Sequence, residues 1–280
     1  MESAWERDLQ MLDYRYRSQR APINLSEVII PGLCAGCGAR HIGLCEALSD
    51  EDLNFLASVS KPLAVQKGQT FVVEGDAARS FFNINHGVAK LYKDMPDGRR
   101  QITGFVGAGD FVGLAADSCY AFSAEAIQEV RMCRFDRSEL RNVFGRFPAI
   151  EQRLFDFASH ELVVAQEQML LLGRKTAVER LASFLDGWHH RIVHTEDSNS
   201  GHGLPMTRAD LADYLGLTIE TVSRALSSLR KLGVISVAAD HGVSVLQSTR
   251  LAEIAQAASS GSTKIQPMYG LRGSKTVATA

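Results

Sequence analysis

The sequence predicts an α+β fold in which a strand-rich half precedes a helical half. Short β-type runs separated by glycine fill positions 61–136, an apolar heptad row follows Pro148, and a pair of capped helices lies nearer the C-terminus. Short strands at regular spacing are typical of an antiparallel sandwich or barrel, whereas a heptad row is typical of a long helix. A chain of 280 residues that is 45% apolar can bury two modest cores.

Residues 1–48 form the first predicted segment, an N-terminal extension that carries a cysteine cluster. Its opening run, MESAWERDLQMLDYRYRSQR, is charged throughout and lacks the apolar region of a secretory signal. No apolar run is long enough to span a bilayer, so we expect no membrane partner and a cytoplasmic location. Structural disulfides are rare in that compartment, and Cys34, Cys37 and Cys45 are therefore candidates for metal binding or redox chemistry.

Residues 49–147 form the second segment, a predicted antiparallel β domain. Turn signals separate its strands at Gly68, Gly75, Gly87, Gly98 and Gly109. Asp97 and Gly98, which lie between LYKDM and RRQITGF, are typical of a hairpin turn.

Residues 148–175 are predicted to form one long helix that joins two copies of the chain. One apolar row could pack on the helix's own β domain, at Leu154, Phe157, Val164 and Leu171. A second row follows a heptad seam, at Phe155, Ala158, Leu162, Ala165, Met169 and Leu172. A helix packed only on its own domain needs a single row, so the second row favours a homodimer interface.

Residues 176–250 contain a helix over 176–192 and then a helix-turn-helix pattern with a wing. Thr207 and Asp210 resemble a capping box, Gly216 suits a tight turn, and Thr218 can cap the next helix. The run VISVAADHGVSVL is typical of a β-hairpin. This order of elements predicts binding to double-stranded DNA, on which the net charge of −2 has no bearing.

The second helix of this pair has an apolar face with Ile219, Val222, Leu226 and Leu229. Its polar face is the predicted DNA-contacting surface and comprises Thr218, Glu220, Thr221, Ser223 and Arg224. Arg224 would donate two hydrogen bonds to a guanine, Glu220 would accept from a cytosine amine, and Ser223 would contact a neighbouring base. The structural alternative is an ordinary amphipathic hairpin with Glu220 and Arg224 as a solvent-exposed pair.

The order of these parts resembles the Crp/Fnr superfamily of bacterial transcription regulators. The resemblance covers residues 28–250 and is strongest in QKGQTFVVEGD, QITGFVGAGDFVGL, LLLGRKTAVERLASFL and MTRADLADYLGLTIETVSRAL. It implies a β-roll of the cyclic-nucleotide-binding type (a double-stranded β-helix), a dimerisation helix and a winged helix-turn-helix. Residues 251–280 are poor in apolar residues and are predicted to be a disordered tail.

Within this superfamily the cysteines resemble those of the oxygen-sensing Fnr type. That type holds a 4Fe–4S cluster on three N-terminal cysteines and one internal cysteine, which here implies Cys34, Cys37, Cys45 and Cys133. The C-x2-C-x7-C spacing is similar to that of the FnrN-like proteins. Four thiolates would also suit zinc, and the CAGC pair could be a thiol redox couple, although no βαβ pattern surrounds it. Cys119 has no partner at ligand spacing and is expected to be a buried or half-buried structural cysteine.

The resemblance implies a homodimeric regulator, mainly an activator, that binds palindromic TTGAT-like sites under low oxygen. The loop at Pro96, Asp97 and Gly98 is then a candidate contact for RNA polymerase, or else a plain hairpin tip. A regulator with the same DNA-binding domain but another signal (zinc, thiol oxidation or none) is the rival interpretation. The chain has no phosphate loop, nucleophile elbow or HExxH motif, so we do not expect an enzyme.

The β domain is not expected to bind a cyclic nucleotide. In the cyclic-nucleotide-binding branch of the superfamily, an acidic residue after a glycine and an arginine further on meet the ligand. Here Leu114 follows Gly113, and no arginine occurs between Arg100 and Arg131. Without a fixed cation, the phosphate would lose its charge-assisted hydrogen bonds.

Overall fold

The computed structural model describes residues 26, 27, 34, 37, 39–114, 118–194, 204–238 and 242–256. Most of the predicted extension at 1–48 and the residues 257–280 of the predicted tail lie outside these ranges. Within them, no helix has the length and apolar character needed to cross a membrane.

Two antiparallel sheets form the β-roll, which confirms the predicted fold class. The first sheet contains, in spatial order, β1 (Ser26–Glu27), β2 (Ser60–Val65), β9 (Val130–Asp136), β4 (Ser80–His86) and β7 (Phe111–Val112). The second sheet contains β3 (Thr70–Val72), β8 (Ser123–Ala126), β5 (Ala89–Asp94) and β6 (Arg100–Val106). The sheets enclose a core that includes Leu63, Val65, Ile84 and Met132, and burial of these side chains drives the packing of the sheets.

Two of the predicted turn glycines show why the strands end where they do. Gly98 adopts φ +85° between β5 and β6, and the Met95 N–H donates to the Arg99 carbonyl at 2.7 Å, which closes the expected hairpin. Gly87 adopts φ +82°, and a Cβ there would lie 2.0 Å from the Glu129 carbonyl oxygen. Only glycine fits that position.

An outer layer covers the face of the first sheet that points away from the core. It consists of the cysteine turn (a 3-10 turn at Gly43–Ala47), α1 (Asp50–Val59) and α2 (Leu140–Arg146). Successive side chains of β9 alternate between faces, so Met132 enters the core of the roll while Cys133 and Phe135 face the outer layer. This alternation places Cys133 beside the N-terminal segment.

The long helix α3 (Pro148–Arg174) begins with proline at its first turn and buries Phe157 and Leu171 against the rest of the chain. Phe155, Leu162 and Met169 of the seam are 68%, 62% and 66% exposed, and Ala158 and Ala165 are exposed as well. Leu172 differs from the rest of the seam because it is half-buried against the core of its own chain. Val164 of the inward row is also exposed, at 39%.

The helical half contains α4 (Ala177–His194), α5 (Arg208–Leu215), α6 (Ile219–Lys231), the wing strands β10 (Ile235–Val237) and β11 (Val243–Val245), and α7 (Ser248–Gln256). The Thr207–Asp210 capping box is present, and Gly216 ends α5 in the left-handed conformation at φ +61°. Both features agree with expectation.

Helix α7 contradicts the predicted start of the tail at residue 251. Leu251 is fully buried and Ala255 is nearly so, because α7 packs against α4. The residues that follow α7 are poor in apolar side chains, and their composition led to the wrong prediction that the tail begins at residue 251.

The helix-turn-helix packs on the β5–β6 hairpin of its own chain. Lys90 Nζ lies 3.0 Å from Asp210 Oδ1, and Gln101 donates to the Asp213 carbonyl at 2.7 Å. The rings of Phe105 and Tyr214 lie 5.3 Å apart within one shared hydrophobic core. Burial opposes ionisation of Asp210, but hydrogen bonds from Thr207 and Lys90 outweigh it and lower the pKa of this carboxyl.

Candidate DNA-binding surface and cysteine site

The N-terminal turn of α6 orders its polar side chains before any ligand binds. Thr218 caps the helix by accepting the Thr221 N–H at 3.2 Å, and the two hydroxyl oxygens lie 3.1 Å apart. Arg224 Nη2 donates to Thr221 Oγ1 at 3.2 Å. The exposed guanidinium is thereby held on the outer face of α6.

Glu220 is exposed, and its own backbone N–H and the Thr218 hydroxyl lower the pKa of its carboxyl. The carboxylate is therefore an obligate acceptor at neutral pH, as a contact to a cytosine amine requires. Within the described residues, no ion pair joins Glu220 to Arg224, because Arg224 donates to Thr221 instead. The charge of Arg224 nevertheless contributes to lowering the pKa of Glu220, so the two side chains interact electrostatically without a direct ion pair.

Ser223 is half-buried at the bottom of a shallow depression between the two helices and the wing. Arg208 Nη1 lies 3.4 Å from Ser223 Oγ, and Arg230 lines the same depression. These two arginines are functional candidates that the sequence reasoning missed. Arg208 could have been found from the sequence because it directly follows Thr207, the N-cap of α5. The first turn of α5 lies on the same side of the domain as the polar face of α6.

One residue on the predicted apolar face of α6 does not belong there. Ile219 is 48% exposed, whereas Val222, Leu226 and Leu229 are buried. Ile219 is the first residue of α6, so it precedes the turn that packs on α5.

The other candidate site brings the four predicted cysteines into one region between the outer layer and β9. Burial is the main cause that raises the pKa of the Cys45 thiol to about 12, and neighbouring Cys133, Cys37 and Cys34 add to it. Burial likewise raises the pKa of Cys133 to about 11 and raises the pKa values of Cys34 and Cys37. Cys34, Cys45 and Cys133 also pack in one apolar cluster.

Several bonds fix the cysteine turn and tie it to α3. Arg40 donates to the carbonyls of Cys45 at 2.8 Å and Leu48 at 3.0 Å. Arg153 of α3 donates to Glu46 Oε2 at 2.6 Å and to the Gly43 carbonyl at 3.3 Å. The turn that carries Cys45 is therefore joined directly to the helix that carries the exposed seam.

The residues present fit a four-thiolate cluster in their chemistry. Two side-chain amides donate to sulfur. The half-buried Asn85 has its Nδ2 at 3.3 Å from Cys133 Sγ, and the buried Asn83 has its Nδ2 at 3.9 Å from Cys45 Sγ. Across the described ranges no group of three or more His, Cys, Asp or Glu side chains already has metal-ligand geometry. The protonated thiols must therefore lose protons and move closer together when metal binds.

Cys119 lies apart from these four thiols. Cys119 is exposed, so the expectation that it is buried or half-buried is wrong. Its backbone pairs with Ala77 in an isolated β-bridge, which leaves the side chain outside the core, and the Ser118 hydroxyl lies 3.9 Å from its sulfur. This position makes Cys119 a suitable internal control for the other cysteines.

Comparison with known proteins identifies the chain's family. A model of the cyclic nucleotide-binding domain matches residues 62–147, and a model of the Crp-like helix-turn-helix domain matches residues 179–254. The nitrogen fixation regulation protein FixK of Bradyrhizobium diazoefficiens is 39% identical over 228 residues, which cover 80% of this chain and 94% of that protein. The chain belongs to the Crp/Fnr family.

Other similar proteins connect this Crp/Fnr protein with transcription. The transcriptional activator protein FnrL of Cereibacter sphaeroides is 38% identical, covering 79% of this chain and 90% of the relative. The fumarate and nitrate reduction regulatory protein of Yersinia pestis is 32% identical over similar shares, 79% and 90%. The solved structure of FixK2 from Bradyrhizobium japonicum matches with a TM-score of 0.62 at 34% identity, covering 70% of this chain and 97% of that one. These relatives are regulators rather than enzymes, and this Crp/Fnr protein shares their DNA-binding domain.

Proposed function

We propose that the protein is an oxygen-responsive transcription activator that binds DNA as a homodimer when it holds a 4Fe–4S cluster. The observation that carries the proposal is that Cys34 and Cys133 pack in one cluster with Cys45, whose turn is bonded to α3. Cys37 is close enough to raise the pKa of Cys45 as well. An iron–sulfur cluster with four thiolate ligands supplies an oxygen-labile centre at this position when bound.

The chain's own residues transmit the state of the cysteine site to α3. Arg153 holds the backbone of Gly43 and the side chain of Glu46, so a change in the cysteine turn alters the support of α3. Leu44 and Cys45 also pack in the same apolar cluster as Ile150 and Phe157 of that helix. The turn and the first half of α3 therefore move as one packed unit.

The exposed seam of α3 supports a homodimer. Phe155, Leu162 and Met169 each expose more than half of their surface on one side of the helix. Full burial of such a side chain contributes about 1.5–3 kcal/mol, which a second copy of α3 can supply. Two paired copies place two α6 helices about one DNA turn apart, roughly 34 Å, as a palindromic site requires.

The proposed DNA contacts follow from the order of the polar side chains on α6. Arg224 binds a guanine, Glu220 accepts from a cytosine, and Ser223 contacts a neighbouring base of a TTGAT-like half-site. Thr218 and Thr221 orient the Arg224 side chain, while Arg208 and Arg230 suit phosphate contacts at the rim.

Activation further requires a contact with RNA polymerase, which we assign to the β5–β6 hairpin tip. Asp97 and Arg99 are exposed there and form a 2.7 Å ion pair. The roll itself is not assigned a cyclic nucleotide, because the sequence between Gly113 and Arg131 lacks the cation that a phosphate needs.

Anaerobic purification tests the proposal. The wild-type protein is expected to be brown, with four irons and four sulfides per chain, and to lose its colour and dimeric state in air. Cys133→Ser is expected to abolish colour and promoter binding, and Cys119→Ser is the matched control that keeps both. A colourless wild-type protein with zinc, or with no metal, would refute oxygen sensing and favour a regulator with another signal.

A further inference from the structure

Two asparagines of β4 lie on the same face of the sheet as Cys133. The β4–β9 register places Asn83 directly opposite Cys133. The register shifts between Ile84 and His86, which makes Asn85 the extra residue of a β-bulge. A bulge redirects the side chain of its extra residue, and here the Asn85 amide reaches the Cys133 sulfur at 3.3 Å.

The unusual feature of both amides is that only their nitrogen has a partner. Asn83 Oδ1 and Asn85 Oδ1 are buried, and neither accepts a hydrogen bond within the described part of the chain. Asn83 itself is only 2% exposed. A buried amide oxygen without a donor is unfavourable, and among the described residues the contacts to sulfur are the hydrogen bonds that these two side chains make.

The strength of an amide–sulfur hydrogen bond depends on the charge of the sulfur. A thiol accepts hydrogen bonds weakly, whereas a thiolate and a metal-bound sulfur carry negative charge and accept them strongly. Hydrogen bonds to the sulfurs are among the features that set the reduction potential and solvent access of an iron–sulfur cluster.

We infer that Asn83 and Asn85 are positioning residues whose amides hold the Cys45 and Cys133 sulfurs in place as cluster ligands and slow the loss of the cluster in air. The inference rests on the proposed function. Asn85 has the larger role because its amide nitrogen is closer to sulfur, at 3.3 Å against 3.9 Å for Asn83.

The first test measures the decay in air of the charge-transfer absorbance of anaerobically purified protein. Asn85→Ala removes the donor and is expected to shorten the half-life about tenfold, the scale typical of lost ligand-supporting hydrogen bonds. Asn85→Asp, which keeps the shape but offers an acceptor, should shorten it further. Asn54→Asp adds the same charge on the exposed side of α1 and should leave it unchanged. Half-lives of both Asn85 variants equal to that of the wild type would overturn the inference.

The second test needs no cluster and so separates this inference from the proposed function. Amide NMR of metal-free protein, with the Asn85 side-chain signals assigned from Asn85→Ala, detects the bond to sulfur. Cys133→Ala should shift one of the two Asn85 amide protons upfield, and Cys119→Ala should shift neither. A colourless wild type would refute the proposed function, while unshifted Asn85 protons in Cys133→Ala would overturn the assignment of the amide to the sulfur.

Discussion

Removing the Arg153 side chain should weaken dimerisation of the cluster-loaded protein without removing any cysteine. Arg153 and Glu46 are 19% and 38% exposed, and an ion pair in such a setting contributes about 0.2–1 kcal/mol. The hydrogen bond to the Gly43 carbonyl adds about 1 kcal/mol. The connection between the cysteine turn and α3 is therefore worth about 1.5 kcal/mol in each protomer. Because a dimer contains two such connections, their combined loss sets an upper limit of about a hundredfold on the change in the dimerisation constant.

Sedimentation of anaerobic Arg153→Ala over a range of concentrations measures this constant. Glu46→Gln should give part of the loss, and the double variant should lose less than the sum of the two, because both act through one contact. Arg174→Ala removes an exposed arginine from the far end of α3 and serves as the control. The reasoning is refuted if Arg153→Ala loads the cluster and dimerises like the wild type, or if metal-free protein shows the same loss.

Four further outcomes are expected. Arg224→Ala should cost about 1–3 kcal/mol and relax preference at one base pair, whereas an equal loss on random DNA in a salt titration would make it a phosphate contact. The pKa of Asp210 is lower in the folded protein than in the unfolded chain, where it is about 3.9, so the ionised carboxylate stabilises the fold above that pH. This stabilisation is lost as the pH falls through the pKa of Asp210 in the folded protein. Asp210→Asn should therefore flatten the acid limb of a denaturation series, and an unchanged slope would contradict the assignment. Gly87→Ala should destabilise the roll by roughly 3 kcal/mol in urea unfolding, because its Cβ would meet the Glu129 carbonyl at 2.0 Å and its φ is positive. Asp97→Ala should lower transcription in a purified system while the affinity for DNA stays constant. Unchanged transcription would contradict the assignment of the hairpin tip as a contact for RNA polymerase.

Features governed by local chemistry could be predicted from the sequence. The Thr207–Asp210 capping box, the Gly216 turn and the Asp97–Gly98 hairpin each depend on a few adjacent residues, and the structure reproduces all three. The antiparallel β domain followed from glycine-separated strands in the same way, whereas its description as a β-roll came from the family resemblance.

Features that depend on distant contacts could not be predicted. Arg153 and Glu46 are 107 positions apart, and only the packed fold brings them together. The wrong expectation for α7 arose because the burial of Leu251 depends on the surface of α4 rather than on local composition. The amide donors of β4 were missed because only the pairing of β4 with β9 brings their face to Cys133, and Asn85 and Cys133 are 48 positions apart in the sequence.

The shared core between β6 and α5 has a consequence for how the molecule can change shape. Phe105 and Tyr214 interlock, and Gln101 fastens to the backbone of α5 beside them. A small displacement of the DNA-binding helices would separate these rings without creating new contacts. Intermediate positions of the helices should therefore have a higher free energy than the packed arrangement. This contact therefore favours discrete conformations, and we expect the protein to switch between two states rather than to change gradually with its signal.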